Sequence, residues 1–296
     1  MIWAATPESH WGNGLPASQY DFCLNRETIH SESKQSMSSH PPVKAVLFDL
    51  DGVLYIGKQL IPGALAAVAS LRKAGIAVRF VTNTSTLSLA ALQHKLHAFG
   101  FNPVQSEIMS APQATIQYLK TLPNPVCKLL LAEDVKQDFA GFAQSDTAAN
   151  VVVIGDIGDR WSYELLNEVF HCLVNGAQLI AIHKNRFWQT EAGLQMDIGA
   201  FITGLEYASN TSAMLMGKPS RHFFNLAVDA LQLQPEEVMM VGDDIDADIG
   251  GAMDAGLCGV LVKTGKYRAT YARLSAVTPD AVLDSVRDLP DWLGCR

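Results

Sequence analysis

No CxxC pair occurs in this chain, and its five cysteines, Cys23, Cys127, Cys172, Cys258 and Cys295, are odd in number and scattered. That excludes a disulfide framework and a zinc ribbon and fits reduced thiols in a cytoplasmic protein. Positive charge is also scarce: 22 Lys and Arg stand against 30 Asp and Glu, a net charge of −8. An acidic balance argues against broad binding to nucleic acid or anionic membrane. No apolar run reaches the roughly 18 residues expected of a membrane span. The start, MIWAATPESHWGNG, has no basic leader and too short an apolar run for a secretory signal. What is abundant is apolar residue, 48% of 296 positions, enough for one large or two smaller cores.

Residues 1–42 read as a disordered extension. HSESKQSMSSHPP is polar and aperiodic, and Met37 lies where an alternative start is expected. From Lys44 onward strands and helices alternate. Lys44–Leu50 and Ile76–Val81 read as strands, Pro62–Ala74 and Leu87–Phe99 as helices closed by Gly75 and Gly100. Later, Met214–Met216, Val238–Val241 and Gly259–Val262 read as strands, with helices at Phe223–Leu231 and Ala247–Ala255. The middle repeats the pattern: strands at Lys128–Leu131, Val151–Ile154 and Leu179–Ile182, and a helix at Tyr163–Leu173 opened by Ser162. The expectation is an α/β fold with a doubly wound parallel sheet. Its core is built from 43–112 and 212–296, and an α/β domain is inserted at 113–211.

In an open parallel sheet, ligands bind beyond the carboxyl ends of the strands. The polar residues fall there. AVLFDLDGVLYIG puts Asp49 and Asp51 at the end of the first strand; Thr82 and Asn83 end the second. Gly217-Lys218-Pro219 follows Met214–Met216, and GDDIDAD, with Asp243, Asp244, Asp246 and Asp248, follows Val238–Val241. Such an acidic rim repels itself unless a divalent cation sits in it, and hard oxygen donors suit Mg²⁺. A lysine and a hydroxyl beside a metal and a free carboxylate point to phosphoryl chemistry. Asp49 would be the nucleophile and Asp51 the proton carrier. Thr82 would hold a phosphoryl oxygen, Lys218 would offset charge, and Asn83 would touch phosphate or shape its turn.

DLDGV, TNTS, GKPS and GDDIDAD, in this order and spread, resemble the four motifs of the haloacid dehalogenase-like phosphatases. The insert is similar to the large cap of their class IIA branch. LIAIHKNRFWQTEAGL, GLEYAS and VKTGKYR resemble one subgroup of that branch, the phospholysine phosphohistidine inorganic pyrophosphate phosphatases and their neighbours. The resemblance, from about Lys44 to Arg268, implies a Rossmann-like core and Asp49 and Asp51 as catalytic pair. It also implies Mg²⁺ held by Asp49, the Asp51 carbonyl and Asp243, with Asp248 close by. Vertebrate members of the subgroup tend to carry Ser at the Asp51 position. The full acid/base pair here favours ordinary phosphate esters. The resemblance further implies a small phosphorylated substrate and a homodimer through the cap.

Other stretches carry weaker signals. Lys184 and Arg186, in HKNR after an insert strand, are expected to face the cleft and select a second anionic group, as in pyrophosphate or an acidic sugar phosphate. Asp244 and Asp246 suit a helix N-terminus. Trp161, Phe187 and Trp188 read as packing residues and His171 as structural. VLVKTGK has the wrong glycine spacing for a phosphate loop. A phosphotransferase and a weakly active regulatory module of the same fold are the rival readings.

Overall fold

The computed structural model describes residues 42–190 and 193–295. Residues 1–41, with the expected extension and Met37, lie outside the described residues, as do the side chains of Phe187 and Trp188. Two parallel sheets organise the rest. The larger has six strands in the order Ala281–Leu283, Cys258–Val262, Val238–Gly242, Ala45–Asp49, Ala77–Thr82 and Ile108–Ser110. The strand bearing Asp49 is central, paired with Val238–Gly242 on one side and Ala77–Thr82 on the other. All of its pairings are parallel, as helical crossovers require.

Burial on both faces explains why these strands are apolar throughout rather than alternating. All five residues of Ala45–Asp49 are buried. Ala45 and Leu47 join one apolar cluster with Val238 and Met240, while Val46 and Phe48 join another with Met239 and Val241. Each fully buried Phe or Leu contributes roughly 1.5–3 kcal/mol.

The helices start and stop where their caps are. Ser88 opens Leu89–Phe99 by accepting the Ala91 N–H at 3.2 Å, and Gly100 closes it in the left-handed region. Ser162 opens Tyr163–Val174 by accepting the Leu165 N–H at 3.1 Å.

Residues 126–215 build the second sheet, in the order Met214–Leu215, Gln178–Ala181, Val151–Ile154, Val126–Leu130 and Ala143–Gln144, again parallel. One face packs on the helices Tyr163–Val174 and Gly199–Ser209. Val151, Val153, Ile180 and Ile182, on the other, belong to the cluster that holds Leu47 and Met240 of the core. The strand expected at Met214–Met216 forms over Met214–Leu215 but pairs with Gln178–Ala181, at the edge of the second sheet rather than in the core. Period and composition reveal a strand and not its neighbour, and Met214 and Leu215 suit either sheet.

Candidate active site

Three buried carboxylates meet a buried lysine at the carboxyl ends of the central strands. Asp49 ends its strand; Asp243 follows Val238–Gly242; Asp248 lies five residues on, in a wide helical turn over Ile245–Gly250. Oxygens of the three lie within 4.8 Å of one another. Lys218 Nζ is 2.5 Å from Asp49 Oδ1 and 2.6 Å from Asp248 Oδ1. The wide turn brings Asp248 back beneath its own strand, where Oδ2 accepts the N–H groups of Asp243 and Asp244, both at 3.1 Å.

The Asp243 carboxylate is wedged between two glycines. A Cβ at Gly52 or at Gly265 would stand 1.9 Å from its Oδ2, and both glycines have positive φ, +94° and +55°. Only glycine fits either position. Oδ2 accepts the Lys266 N–H at 2.6 Å, while Oδ1 is buried without a partner.

Charge is expensive here. Burial pushes the Asp49 carboxyl up to about 6; Lys218 works against that rise and Asp248 adds to it. Burial, then Asp49 and Asp248, push Asp243 up to about 8. Burial opposes the charge of Lys218, but Asp248 and Asp49 outweigh it and raise its pKa. Lys266, on the cavity wall, adds a second positive charge, and two lysines do not balance three carboxylates. An unpartnered buried oxygen among carboxylates is the environment a hard dication relieves, so the donor set fits Mg²⁺.

A cavity of about 390 Å³ opens over this group. Asp49, Asp51, Thr82, Asn83, Lys218 and Asp248 line it, so the expected core residues are brought together. Asp51 is exposed, and its carboxylate stands outside the buried trio. Thr82 is buried, with Oγ1 2.9 Å from Thr84 Oγ1. Asn83 lines the cavity and holds the lysine loop. Its amide donates to the Lys218 carbonyl at 2.9 Å and accepts the Lys218 N–H at 2.8 Å, so it clamps the lysine backbone. Asp244 caps the following turn, accepting N–H groups of Asp246 and Ala247, and Asp246 accepts the Tyr271 hydroxyl.

Lys184 and Arg186 are the two residues expected to face the cleft; Arg186 acts electrostatically on Tyr271 of the core. Lys184 turns to Glu206 on Gly199–Ser209, 2.5 Å away, and Arg186 is exposed. Neither lines the cavity; His183 and Asn185 do.

Further residues at the cavity include Ser85, from the TNTS motif, and three from no motif, His183, Asp197 and Asp156. Ser85, at the end of TNTS, and His183 are buried, with Oγ and Nε2 3.2 Å apart. Asp197 follows the antiparallel pair Phe187–Thr190 and Gly193–Met196, and its N–H donates to the Arg186 carbonyl at 3.1 Å. Asp156 follows Val151–Ile154. Asp156 and His183 share one signal, position beyond the carboxyl ends of the second sheet's strands.

Known proteins resemble this chain along most of its described length. Residues 46–158 match the haloacid dehalogenase-like hydrolase family model, and 215–289 match a second model, HAD-hydrolase-like. Haloacid dehalogenase-like hydrolase domain-containing protein 2 of Homo sapiens is 42% identical over 235 residues, 79% of this chain and 89% of that one. Phospholysine phosphohistidine inorganic pyrophosphate phosphatase of Xenopus laevis is 37% identical over 261 residues, 85% and 94% of the two chains. Among solved structures, a p-nitrophenyl phosphatase from Archaeoglobus fulgidus superposes with a TM-score of 0.80 at 27% identity, covering 85% of this chain and 99% of that one.

Proposed function

This chain belongs to the haloacid dehalogenase-like hydrolases, and from that premise we propose that it is a Mg²⁺-dependent phosphatase acting on a small phosphorylated molecule through an aspartyl-phosphate on Asp49. The observation that carries the reading is the buried Asp49–Lys218–Asp248 chain beside the unpartnered oxygen of Asp243.

In the first step an Asp49 oxygen attacks phosphorus as the bond to the leaving oxygen breaks. Asp51, exposed at the cavity wall, gives that oxygen its proton. Asp51 then takes a proton from water, which attacks the aspartyl-phosphate, frees phosphate and restores Asp49. Lys218 holds Asp49 Oδ1 at 2.5 Å and so fixes which way the nucleophile faces. Thr82, on the cavity wall, offers a hydroxyl to a phosphoryl oxygen. Mg²⁺ held by Asp49, Asp243, Asp248 and the Asp51 carbonyl would supply charge neutralisation when bound. An acid at Asp51 makes oxygen leaving groups the favoured class, because an alkoxide needs a proton and a poor one leaves slowly without it.

Phosphate release from a panel of phosphate esters, pyrophosphate and phosphohistidine, with Mg²⁺ and with EDTA, tests this. Mg²⁺-dependent release is expected, and Asp49→Asn is expected to remove it. Robust release by folded Asp49→Asn protein refutes the mechanism.

A further inference from the structure

The loop after Cys258–Val262 carries a second lysine to the cavity wall. Its backbone is tied to the carboxylate cluster. The Lys266 N–H donates to Asp243 Oδ2 at 2.6 Å, Gly265 packs against the same carboxylate, and the Thr264 hydroxyl donates to the Gly52 carbonyl. The side chain has no such tie. It is 67% exposed, and among the described residues its ammonium makes no hydrogen bond and one long ion pair, 4.0 Å to Asp244 Oδ2. Lys218, the other lysine of the cavity, is the opposite case: it is 4% exposed and held by Asp49 and Asp248. A fixed loop thus holds out a cation that the protein around it leaves uncommitted.

Charge and position say what that cation meets. With a dication in place, the ion and Lys218 balance Asp49, Asp243 and Asp248, and the charge of Lys266 is left over. Its ammonium acts on Asp49 and Asp243 in the core and on His183 across the cavity, so it stands at the opening between the two walls. The transferred phosphoryl group belongs deeper, where Asp49, Thr82 and Lys218 are all buried. In-line attack by Asp49 points the leaving group away from that floor and towards the opening, the side on which Lys266 stands. The remaining charged residues of the lining, Asp51, Asp156, Asp197 and Asp244, are carboxylates. Among the described residues, a second negative group on the substrate therefore has Lys266 alone to meet it.

We propose that Lys266 is a specificity-determining residue, which binds an anionic group, a carboxylate or a second phosphoryl group, on the leaving-group side of the substrate. The assignment rests on the phosphatase reading. It moves the role expected of Lys184 and Arg186, which do not line the cavity, to a residue of the core. Asp156 and Asp197 set a limit on the substrate. An anion on a long spacer would run onto their carboxylates, so the group lies close to the leaving oxygen.

Two assays on the full chain at saturating Mg²⁺ test it. The first compares phosphate release from ω-carboxyalkyl phosphates with release from plain alkyl phosphates of matched length. At the shortest spacers the carboxy ester is expected to show kcat/KM about tenfold above its match, and the advantage is expected to shrink as the spacer lengthens. The ratio is expected to fall towards one in Lys266→Met, which keeps the backbone bonds of the loop, and to survive in Lys266→Arg, which keeps the charge. Equal or slower turnover of the carboxy ester by wild type overturns the proposal and leaves the phosphatase reading standing. So does a ratio unchanged in Lys266→Met, including a loss shared equally by both esters, which is what a merely structural lysine would give. The second assay measures calorimetric binding of carboxyalkylphosphonates against alkylphosphonates, which needs no turnover. Tighter binding of the carboxy compound, lost in Lys266→Met, supports the site even where no ester is hydrolysed, and then only the phosphatase reading fails. Equal binding, or no binding of either, overturns the proposal.

Discussion

Replacing Asp243 with Asn should make the metal-free protein more stable while removing its response to Mg²⁺. The Asp243 carboxyl titrates at about 8 in the folded protein against 3.8 ordinarily, first because it is buried and then because Asp49 and Asp248 face it. The folded state thus holds this proton more tightly than the unfolded chain. Below the ordinary value both states are protonated and there is no penalty. As pH rises towards 8 the unfolded chain ionises first and folding stability falls; above 8 the loss is constant. Linkage gives a penalty of about 4 kcal/mol at pH 7 and about 2 kcal/mol at pH 5. In Asp243→Asn the amide oxygen keeps the Lys266 N–H, and the amide nitrogen replaces the unpartnered Oδ1 among the carboxylates. Recovery on the order of 2–4 kcal/mol at pH 7 corresponds to roughly 5–10 °C in Tm.

Thermal unfolding in EDTA at pH 5 and pH 7, with and without Mg²⁺, reads both halves. Wild type should lose stability between the two pH values and gain it back with Mg²⁺, by about 2.7 kcal/mol when the ion is at a hundred times its Kd. The variant should be flatter with pH, more stable in EDTA at pH 7, and nearly indifferent to Mg²⁺. A variant no more stable than wild type in EDTA at pH 7, or one keeping the full Mg²⁺ shift, would refute the reasoning.

Three other substitutions probe the same cluster. Lys218→Met strips the cation from Asp49 and Asp248, and should cost about 3–5 kcal/mol in urea unfolding at pH 7, less at pH 5, below the value of about 6 to which burial pushes Asp49. Asn83→Ala removes the 2.8 and 2.9 Å bonds that clamp the Lys218 backbone, so kcat should fall about tenfold with KM little changed. An unchanged kcat returns Asn83 to a loop-shaping role. Gly52→Ala puts a methyl 1.9 Å from Asp243 Oδ2 at φ +94°, and should abolish the Mg²⁺-induced rise in Tm; an undiminished rise would show that Asp243 is not a ligand.

The core half of the site was legible because its residues sit at strand ends, and parallel strands bring their carboxyl ends together without further instruction. Asp49, Thr82 and Asp243 needed only that rule and the motif spacing; Lys218 follows a strand of the second sheet, and its motif alone pointed to it. The insert half was not legible for the same reason in reverse. Its cavity residues, Asp156, His183 and Asp197, are single polar residues after apolar strands, and no spacing ties them to one another. His183 and Asn185 line the cavity, whereas Lys184 and Arg186 drew attention because a charged pair stands out in a sequence. Lys184 is explained by a partner 22 residues on, Glu206, which local pattern does not reveal. The placement of Met214–Leu215 in the second sheet is likewise a question of neighbours rather than of propensity.

The cluster is built against stability, and that is its most informative property. Replacing Asp49, Asp243 and Asp248 with apolar residues of similar size would remove a desolvation cost that Lys218 and Lys266 offset only in part. The fold does not avoid the cost; it commits structure to maintaining it. Asp248 spends both oxygens, one on Lys218 and one on two backbone N–H groups. Two glycines are held at positive φ so that the Asp243 carboxylate fits between them. Asn83 spends both ends of its amide on holding the lysine backbone. Against all that positioning, Asp243 Oδ1 is left without a partner. A purely structural ion pair would have no use for an unmet oxygen aimed among carboxylates, whereas a site that binds a dication and a phosphoryl group needs one. The strain is thus where a reaction would relieve it, and the apo protein's falling stability between pH 5 and pH 7 is the direct measure of how much is stored.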